Sequence, residues 1–226
     1  METKSIVPSS VATTTKLRIT EIFRSLQGEA RYVGLPTTFV RLTGCPMRCV
    51  YCDSAYAFHG GEKRSIDEII KEVKNYSAQH VTITGGEPLA QKACYVLLRQ
   101  LCDLGYIVSL ETGNAIDISD VDKRVHIVLD IKTPASMEEH NNRYENLDYV
   151  TEKDQLKFVL ANRDDYLWSK QFIEERELTG KLEILFSPVA EQLDASDLAA
   201  WILDDQLPVR FQIQLHKYLW GNIPGV

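Results

Sequence analysis

The sequence predicts an α/β fold: an open partial (β/α) barrel with a mainly parallel sheet. Three observations predict it. From Lys16 onward, short β-branched runs alternate with amphipathic helical runs, as successive βα units require. Glycines and capping residues punctuate the runs where turns are needed. About six or seven strands can be counted, too few to close an eight-stranded barrel. In open sheets of this kind ligands bind beyond the carboxyl ends of the strands, so the residues that follow each strand matter most.

Residues 1–16 are rich in Ser and Thr and lack the apolar core of a secretion signal, so they are expected to form a flexible leader, with residues 17–226 making one domain. Residues 37–42 (TTFVRL), bounded by Pro36 and Gly44, read as a strand. Ser65-Ile66-Asp67-Glu68 is a capping box, and Ile66, Ile69, Ile70 and Val73 recur at helical spacing, which predicts a helix over 65–75. Val81-Thr82-Ile83-Thr84 is the next strand, ended by Gly85-Gly86. A helix over 94–104 stops at Gly105, and strands follow at 107–111, 125–130 and 156–160. A helix over 164–178, a strand at 182–186, a short helix near 196–203 and a last strand at 209–215 complete the pattern.

The chain has 226 residues, 44% hydrophobic and 25% charged, which are ordinary globular values. Its 25 basic residues against 32 acidic ones leave a net charge of −7, which argues against broad binding to nucleic acid. No apolar run approaches the length of about 18 residues that a membrane span needs. Of the five cysteines, Cys45, Cys49 and Cys52 crowd together. In a chain without an export signal, clustered thiols point to metal binding rather than disulfides, and to the cytoplasm. Trp168, Trp201 and Trp220 read as packing residues, and Asp164-Asp165 and Glu174-Glu175 as solvated helix faces.

The run Gly44-Cys45-Pro46-Met47-Arg48-Cys49-Val50-Tyr51-Cys52 has the form C-x3-C-x2-C and lies just beyond a strand. Thiolate sulfur is soft and suits iron–sulfur chemistry. Three ligands on a four-iron cube leave one iron open to a small molecule. Structural zinc usually wants four protein ligands. Cys94 and Cys102 sit within an apolar helix, where a buried small hydrophobe is the simpler role. In Thr84-Gly85-Gly86-Glu87-Pro88 the glycines let backbone approach a ligand, and Glu87 can accept from an ammonium group.

The cysteine spacing, with Tyr51 just before the last thiol, resembles the radical S-adenosylmethionine (SAM) signature, and Gly85-Gly86-Glu87-Pro88 resembles the motif that contacts the amino group of SAM. The resemblance implies a [4Fe–4S] cluster on Cys45, Cys49 and Cys52, whose open iron chelates SAM. One electron from the reduced cluster then yields a 5′-deoxyadenosyl radical, so no side chain is assigned as catalytic. Further segments resemble the 7-carboxy-7-deazaguanine synthase family: Phe23-Arg24-Ser25-Leu26-Gln27-Gly28-Glu29, the strand with Arg41, Cys52-Asp53-Ser54, Glu111-Thr112-Gly113 and Gln214-Leu215-His216-Lys217. That resemblance runs from about Lys16 to the C-terminus. It implies a magnesium-assisted homodimer, reduced by a flavodoxin-like or ferredoxin-like donor. The implied reaction is ring contraction of 6-carboxy-5,6,7,8-tetrahydropterin to 7-carboxy-7-deazaguanine with loss of ammonia, feeding queuosine or another 7-deazapurine.

Carried over by position, Leu26, Gln27, Gly28, Arg41, Thr84, His216 and the terminal carboxylate of Val226 fall to the substrate. Val50, Tyr51, Cys52, Asp53, Gly86, Glu87, Asp130, Ile131, Lys132, Ser187, Pro188, Val189 and Ala190 fall to SAM. Ser54 stands where the family has a magnesium-binding Thr, a change that keeps a hard oxygen donor. Asp130-Ile131-Lys132 replaces the family's Ser-Pro-Lys, and residues 187–190 replace a segment that usually contains Gln-Pro. The pocket is expected to be roofed by Gln27-Gly28-Glu29 and the C-terminal segment, with His216 on the terminal strand. A glycyl-radical activating enzyme, whose substrate is a protein, shares the cysteines and the Gly-Gly-Glu-Pro motif. The Leu-Gln-Gly-Glu and Gln-Leu-His-Lys segments favour the deazapurine reading. A non-catalytic iron–sulfur or zinc module predicts no SAM cleavage.

Overall fold

The computed structural model describes residues 15–221, 223 and 225. Among the described residues, nine strands form one sheet in the order β3-β1-β2-β4-β5-β6-β7-β8-β9. These are β1 (Lys16–Leu26), β2 (Pro36–Leu42), β3 (Glu62–Ser65), β4 (His80–Gly85), β5 (Ile107–Thr112), β6 (His126–Ile131), β7 (Gln155–Leu160), β8 (Glu183–Pro188) and β9 (Arg210–Phe211). All neighbours from β2 to β9 are parallel, and β1 runs antiparallel to both β2 and β3. The two edge strands do not pair with each other, so the barrel is open. Helices α1 (Ile66–Asn75), α2 (Cys94–Asp103), α3 (Arg163–Glu175) and α4 (Ala195–Asp204) connect strands, and α5 (Leu215–Trp220) follows β9.

Three of the helices begin on a side-chain cap. In α1 the Ser65 hydroxyl accepts from Glu68 N while the Glu68 carboxylate accepts from Ser65 N, the reciprocal cap that the sequence predicts. Asn162 caps α3 by accepting from Asp165 N, and Asp194 caps α4 by accepting from Ser196 N, one-way caps without the reciprocal bond. The inner faces of α1 and α2 meet the sheet through Ile66, Ile69, Val73, Leu97, Leu98 and Leu101, all essentially without solvent contact. Fully burying one such side chain contributes about 1.5–3 kcal/mol.

The structure departs from the sequence reading in several places. The edge strand β3, Glu-Lys-Arg-Ser, carries no apolar alternation and was invisible to it; charged edge strands are how sheets avoid pairing with other molecules. The last strand is only Arg210–Phe211 rather than 209–215. Beyond it the chain leaves the sheet, Leu215 N donates to Gly28 O, and α5 begins, so His216 lies on a helix. Asp165 is buried rather than solvated: its carboxylate accepts from Ala135 N and Ala161 N, tying α3 to two strand-end loops. Trp168 and Trp201 pack on the core, whereas Trp220 is partly exposed.

The β1–β2 loop, residues 27–35, plugs the barrel from below. Arg31 N donates to Gln155, the first residue of β7, and the Arg31 guanidinium pairs with Glu183, the first of β8. Tyr32 packs at a tilt against His80, the first residue of β4, and hydrogen-bonds His126, the first of β6. Ala30 seats on Val128 and Leu185 inside the concave face. The loop expected as a roof is therefore a floor, and the carboxyl ends of the strands stay open above it.

Candidate active site

Above that floor lies a cavity of about 440 Å³, lined by residues of β2, β4, β5, β6, β7 and β8. The cluster loop forms part of its rim. Gly44, at φ +98°, turns the chain out of β2. Gly86 lies so close that an added Cβ would run into the Gly44 carbonyl, while Glu87 N donates to that same oxygen. The two glycines of Thr84-Gly85-Gly86 thus serve first to dock the end of β4 against the cysteine loop. Arg48 holds the loop's shape by donating to Cys45 O and Met47 O, and Arg48 N donates to Glu138.

Cys45, Cys49 and Cys52 all line the cavity. Burial pushes each thiol upward, Cys49 to about 11, so without a cation the three stay protonated. A bound metal reverses this by holding thiolate directly. Three soft donors on one rim, with no thiol among the described residues as a fourth there, fit a cluster with one open corner. Cys94 and Cys102 are buried in α2, as the sequence reading has them.

Across the opening, Asp130 and Lys132 pair at 3.0 Å at the end of β6. Asp130 Oδ1 is buried with no hydrogen-bond partner although the residue lines the cavity. An orphaned acceptor of this kind calls for a ligand that brings donors, which the hydroxyls of a ribose do. Ser187, Pro188, Val189 and Ala190 line the same side, and Tyr51 reaches over to donate to Val159 O.

The facing wall comes from β1, β2, β4 and β5. The Arg41 guanidinium lies 5.9 Å from the ring centre of Phe23 and 5.7 Å from that of Tyr56, and donates to Glu21 at 2.7 Å. Its other arm reaches Ser54 Oγ at 3.5 Å. Thr84 donates to Glu111, and the Gln27 amide donates to Thr82 and reaches Glu111 at 3.5 Å. Burial, reinforced by Glu29, raises the Glu111 carboxyl above its ordinary value. Lys157 on β7 pairs with Glu29; burial disfavours its charge, but Glu29, Asp130 and Glu111 outweigh that and raise it. The C-terminal segment closes the side. Gln214 donates to both Glu29 and Asp53, Lys217 pairs with Asp53, and an added Cβ at Gly28 would strike the His216 ring.

Leu26, Gln27, Gly28, Arg41, Thr84 and His216 therefore line one cavity with Tyr51, Cys52, Asp53, Ser54, Gly86, Asp130, Lys132 and residues 187–190. Three of the expected SAM residues are placed elsewhere. Val50 is 65% exposed, and Ile131 turns into the hydrophobic core. Glu87 is fully buried, its oxygens taken up by Leu89 N, Thr112 Oγ1 and Gly113 N. Val226 lies outside the described residues. Glu111 and Lys157 had no assigned site role from sequence, and Glu29 was placed only in the loop over the pocket; Lys157 breaks an otherwise apolar run, 156–160.

The Radical SAM superfamily pattern matches residues 39–137. The 7-carboxy-7-deazaguanine synthase of Chlorobaculum tepidum is 45% identical, with 93% of this chain and 97% of the relative covered. The chain belongs to the 7-carboxy-7-deazaguanine synthase family. The synthase of Koribacter versatilis is 42% identical over 90% of this chain and 97% of its own. Among solved structures, QueE from Escherichia coli superposes with a TM-score of 0.74 at 20% identity, covering 89% of this chain and 95% of that one, which shows the fold. The chain is a radical SAM enzyme of the deazapurine family and uses a [4Fe–4S] cluster and SAM. Its open parallel sheet is the partial barrel expected from sequence.

Proposed function

We propose that this chain converts 6-carboxy-5,6,7,8-tetrahydropterin to 7-carboxy-7-deazaguanine with loss of ammonia, and that the cavity residues divide the work as follows. The observation that carries the reading is the single cavity that joins the three cysteines to Arg41, Thr84, Glu111 and Gln27. Cys45, Cys49 and Cys52 hold the cluster, and Asp130, Lys132, Gly86 and residues 187–190 receive SAM. When bound and reduced, the two together supply a 5′-deoxyadenosyl radical that takes hydrogen from the substrate. Arg41, fixed by Glu21 and flanked by two aromatic faces, binds the substrate carboxylate; a guanidinium matches that fork with two donors. Gln27, Thr84 and Glu111 offer the pterin edge acceptors and donors that are already hydrogen-bonded to one another. Leu26, Gly28 and His216 close on it from the floor and the C-terminal segment.

Ser54 holds magnesium in this reading. Among the described residues, no three His, Cys, Asp or Glu side chains converge on one ion position. The remaining ligands in the proposal are water and the substrate, which is how magnesium is usually held. The ties of Asp53 to Gln214 and Lys217 keep the C-terminal segment over the site, so that a reactive intermediate meets neither water nor stray donors. The working unit is a cytoplasmic homodimer reduced by a flavodoxin-like or ferredoxin-like protein. No helix among the described residues is long and apolar enough to cross a membrane.

The test is anaerobic cluster reconstitution, reduction, and incubation with SAM, magnesium and the carboxytetrahydropterin, followed by mass spectrometry. Wild type yields the deazapurine and Cys49→Ala does not. SAM cleavage without that product would falsify the substrate assignment and leave the cluster chemistry standing.

A further inference from the structure

A second depression, of about 440 Å³, lies outside the cavity and is lined by Lys16, Arg18, Thr43, Lys63 and Gln91. Three of its five residues are cations, on a protein whose net charge is −7. Register explains how they come together. Arg18 and Lys63 stand directly opposite each other across the antiparallel β1–β3 pair, and Lys16 follows two places along on the same face. Leu17 and Ile19 alternate into the core, and Arg64 alternates with them to the other face, where it pairs with Glu72.

Like charges directly opposite in a ladder are destabilising, and among the described residues no carboxylate pairs with these. Among the described residues Lys16, Arg18 and Lys63 make no ion pair, and the Arg18 guanidinium donates to the carbonyls of Gly60 and Gly61. Glu68 feels Lys16 at a distance, but its carboxylate is bonded to Ser65. The arrangement is an outward-facing concentration of positive charge held in place by backbone pairing.

Its position gives the charge a use. β1 runs antiparallel to β2, so Lys16 and Arg18 extend past the end of β2 and flank the cysteine loop. Thr43 N donates to Arg18 O, and the Gln91 amide donates to both Arg18 O and Thr43 O. Thr43 thus forms part of the depression while sitting two residues before Cys45, a backbone reach of at most about 7 Å. The patch and the cavity share no lining residue, and Thr43 and Cys45 of one short loop line one each.

We infer that this basic ribbon is the docking surface for an acidic one-electron donor protein that reduces the cluster. The inference rests on reading the cysteine loop as the cluster site, and it adds where the electron enters. Charge complementarity of this kind steers encounter and makes association depend on salt. A donor seated here lies against the loop without obstructing the substrate cavity.

The experiment compares the cluster-loaded wild type with Lys16→Glu/Lys63→Glu and with Lys16→Gln/Lys63→Gln. Arg18 is left in place because it braces Gly60 and Gly61. Binding of an oxidised acidic flavodoxin is measured by titration calorimetry at several ionic strengths, and SAM cleavage is followed with either that flavodoxin or dithionite as reductant. The charge-reversed variant is expected to bind the flavodoxin at least tenfold more weakly at low salt and to lose most of the salt dependence. The glutamine variant falls between. With dithionite all three proteins cleave SAM equally, which shows intact clusters. Unchanged affinity and salt slope in the reversed variant overturn the inference, as does saturable binding of inorganic phosphate at this patch with no flavodoxin binding. Because neither readout uses the pterin, failure of the substrate assignment leaves this result interpretable.

Discussion

Glu87 offers the sharpest test of how the site is built, because sequence resemblance places it on SAM and the structure gives its carboxylate other work. It has no exposed surface. Oε1 accepts from Leu89 N at 3.1 Å, Oε2 accepts from Gly113 N at 2.7 Å, and Thr112 Oγ1 lies 2.9 Å from both. Glu87→Gln preserves the shape but converts one oxygen into a donor. Whichever way the amide rotates, its NH2 faces the N–H of Leu89 or of Gly113. A hydrogen bond to a charged group is lost, worth about 1.5–3 kcal/mol, and a buried donor is left unmatched at a further cost of about 1–3 kcal/mol. Against this, burial raises the Glu87 carboxyl, so replacing it also removes a charge the interior disfavours. The net expectation is about 3 kcal/mol of lost stability. For a domain of this size that lowers Tm by about 6–12 °C. Calorimetry and urea unfolding of cluster-free protein measure it without interference from metal linkage. A loss under about 1 kcal/mol refutes the reasoning, and with it the view that Glu87 clamps the ends of β4 and β5 together.

Four further outcomes follow from the same geometry. Arg41→Lys keeps the charge but loses the planar fork between Phe23 and Tyr56, so kcat/KM for the carboxypterin is expected to fall about 30-fold, or ~2 kcal/mol, with iron content unchanged. Gly28→Ala drives a methyl group into the His216 ring; a raised KM and faster proteolysis of the C-terminal segment are expected, and wild-type values for both count against that contact. Glu111 is raised from 4.5 chiefly by burial, so its contribution to stability is full below about pH 4.5 and is lost as pH rises through the raised value. The stability of wild type relative to Glu111→Gln therefore declines as pH rises above 4.5, and a difference flat with pH in urea titrations would contradict this. Finally, Cys94→Ala retains the full iron content and Cys49→Ala does not, by iron assay and electron paramagnetic resonance.

What could be read from the sequence was whatever its own neighbours determine. The α1 cap is legible because Ser65 and Glu68 are three residues apart and need nothing else. The alternation of β4, α2 and β5 is legible because each buries one apolar face. β3 was not, since its residues are all hydrophilic and it exists only because β1 offers an edge. The last strand was drawn too long because residues 209–215 carry apolar side chains. What ends it is the β1–β2 loop: Ala30 N donates to Gln212 Oε1 and Gly28 O accepts from Leu215 N, drawing the chain off the sheet.

The same division runs through the site. The cysteine spacing and the Gly-Gly turn are local, and both were visible. The Lys157–Glu29 pair joins residues 128 apart, and neither belongs to a motif that demands the other. Yet Lys157 broke a local rule in plain view, a cation amid the apolar residues of β7. Burying such a pair costs several kcal/mol in lost hydration, and apolar replacements of similar size often serve stability as well or better. A fold under selection for stability alone has little reason to keep it, whereas a cavity that must hold polar ligands fixed does, because local violations concentrate at functional sites. Replacing both members together, as Lys157→Met/Glu29→Met, separates the two without leaving one charge buried alone. If the pair is structural, the variant loses stability with little change in substrate affinity. If it serves the site, stability is kept or gained while affinity for the carboxypterin falls, and the second outcome is the one expected from its position between Glu29, Glu111 and Asp130.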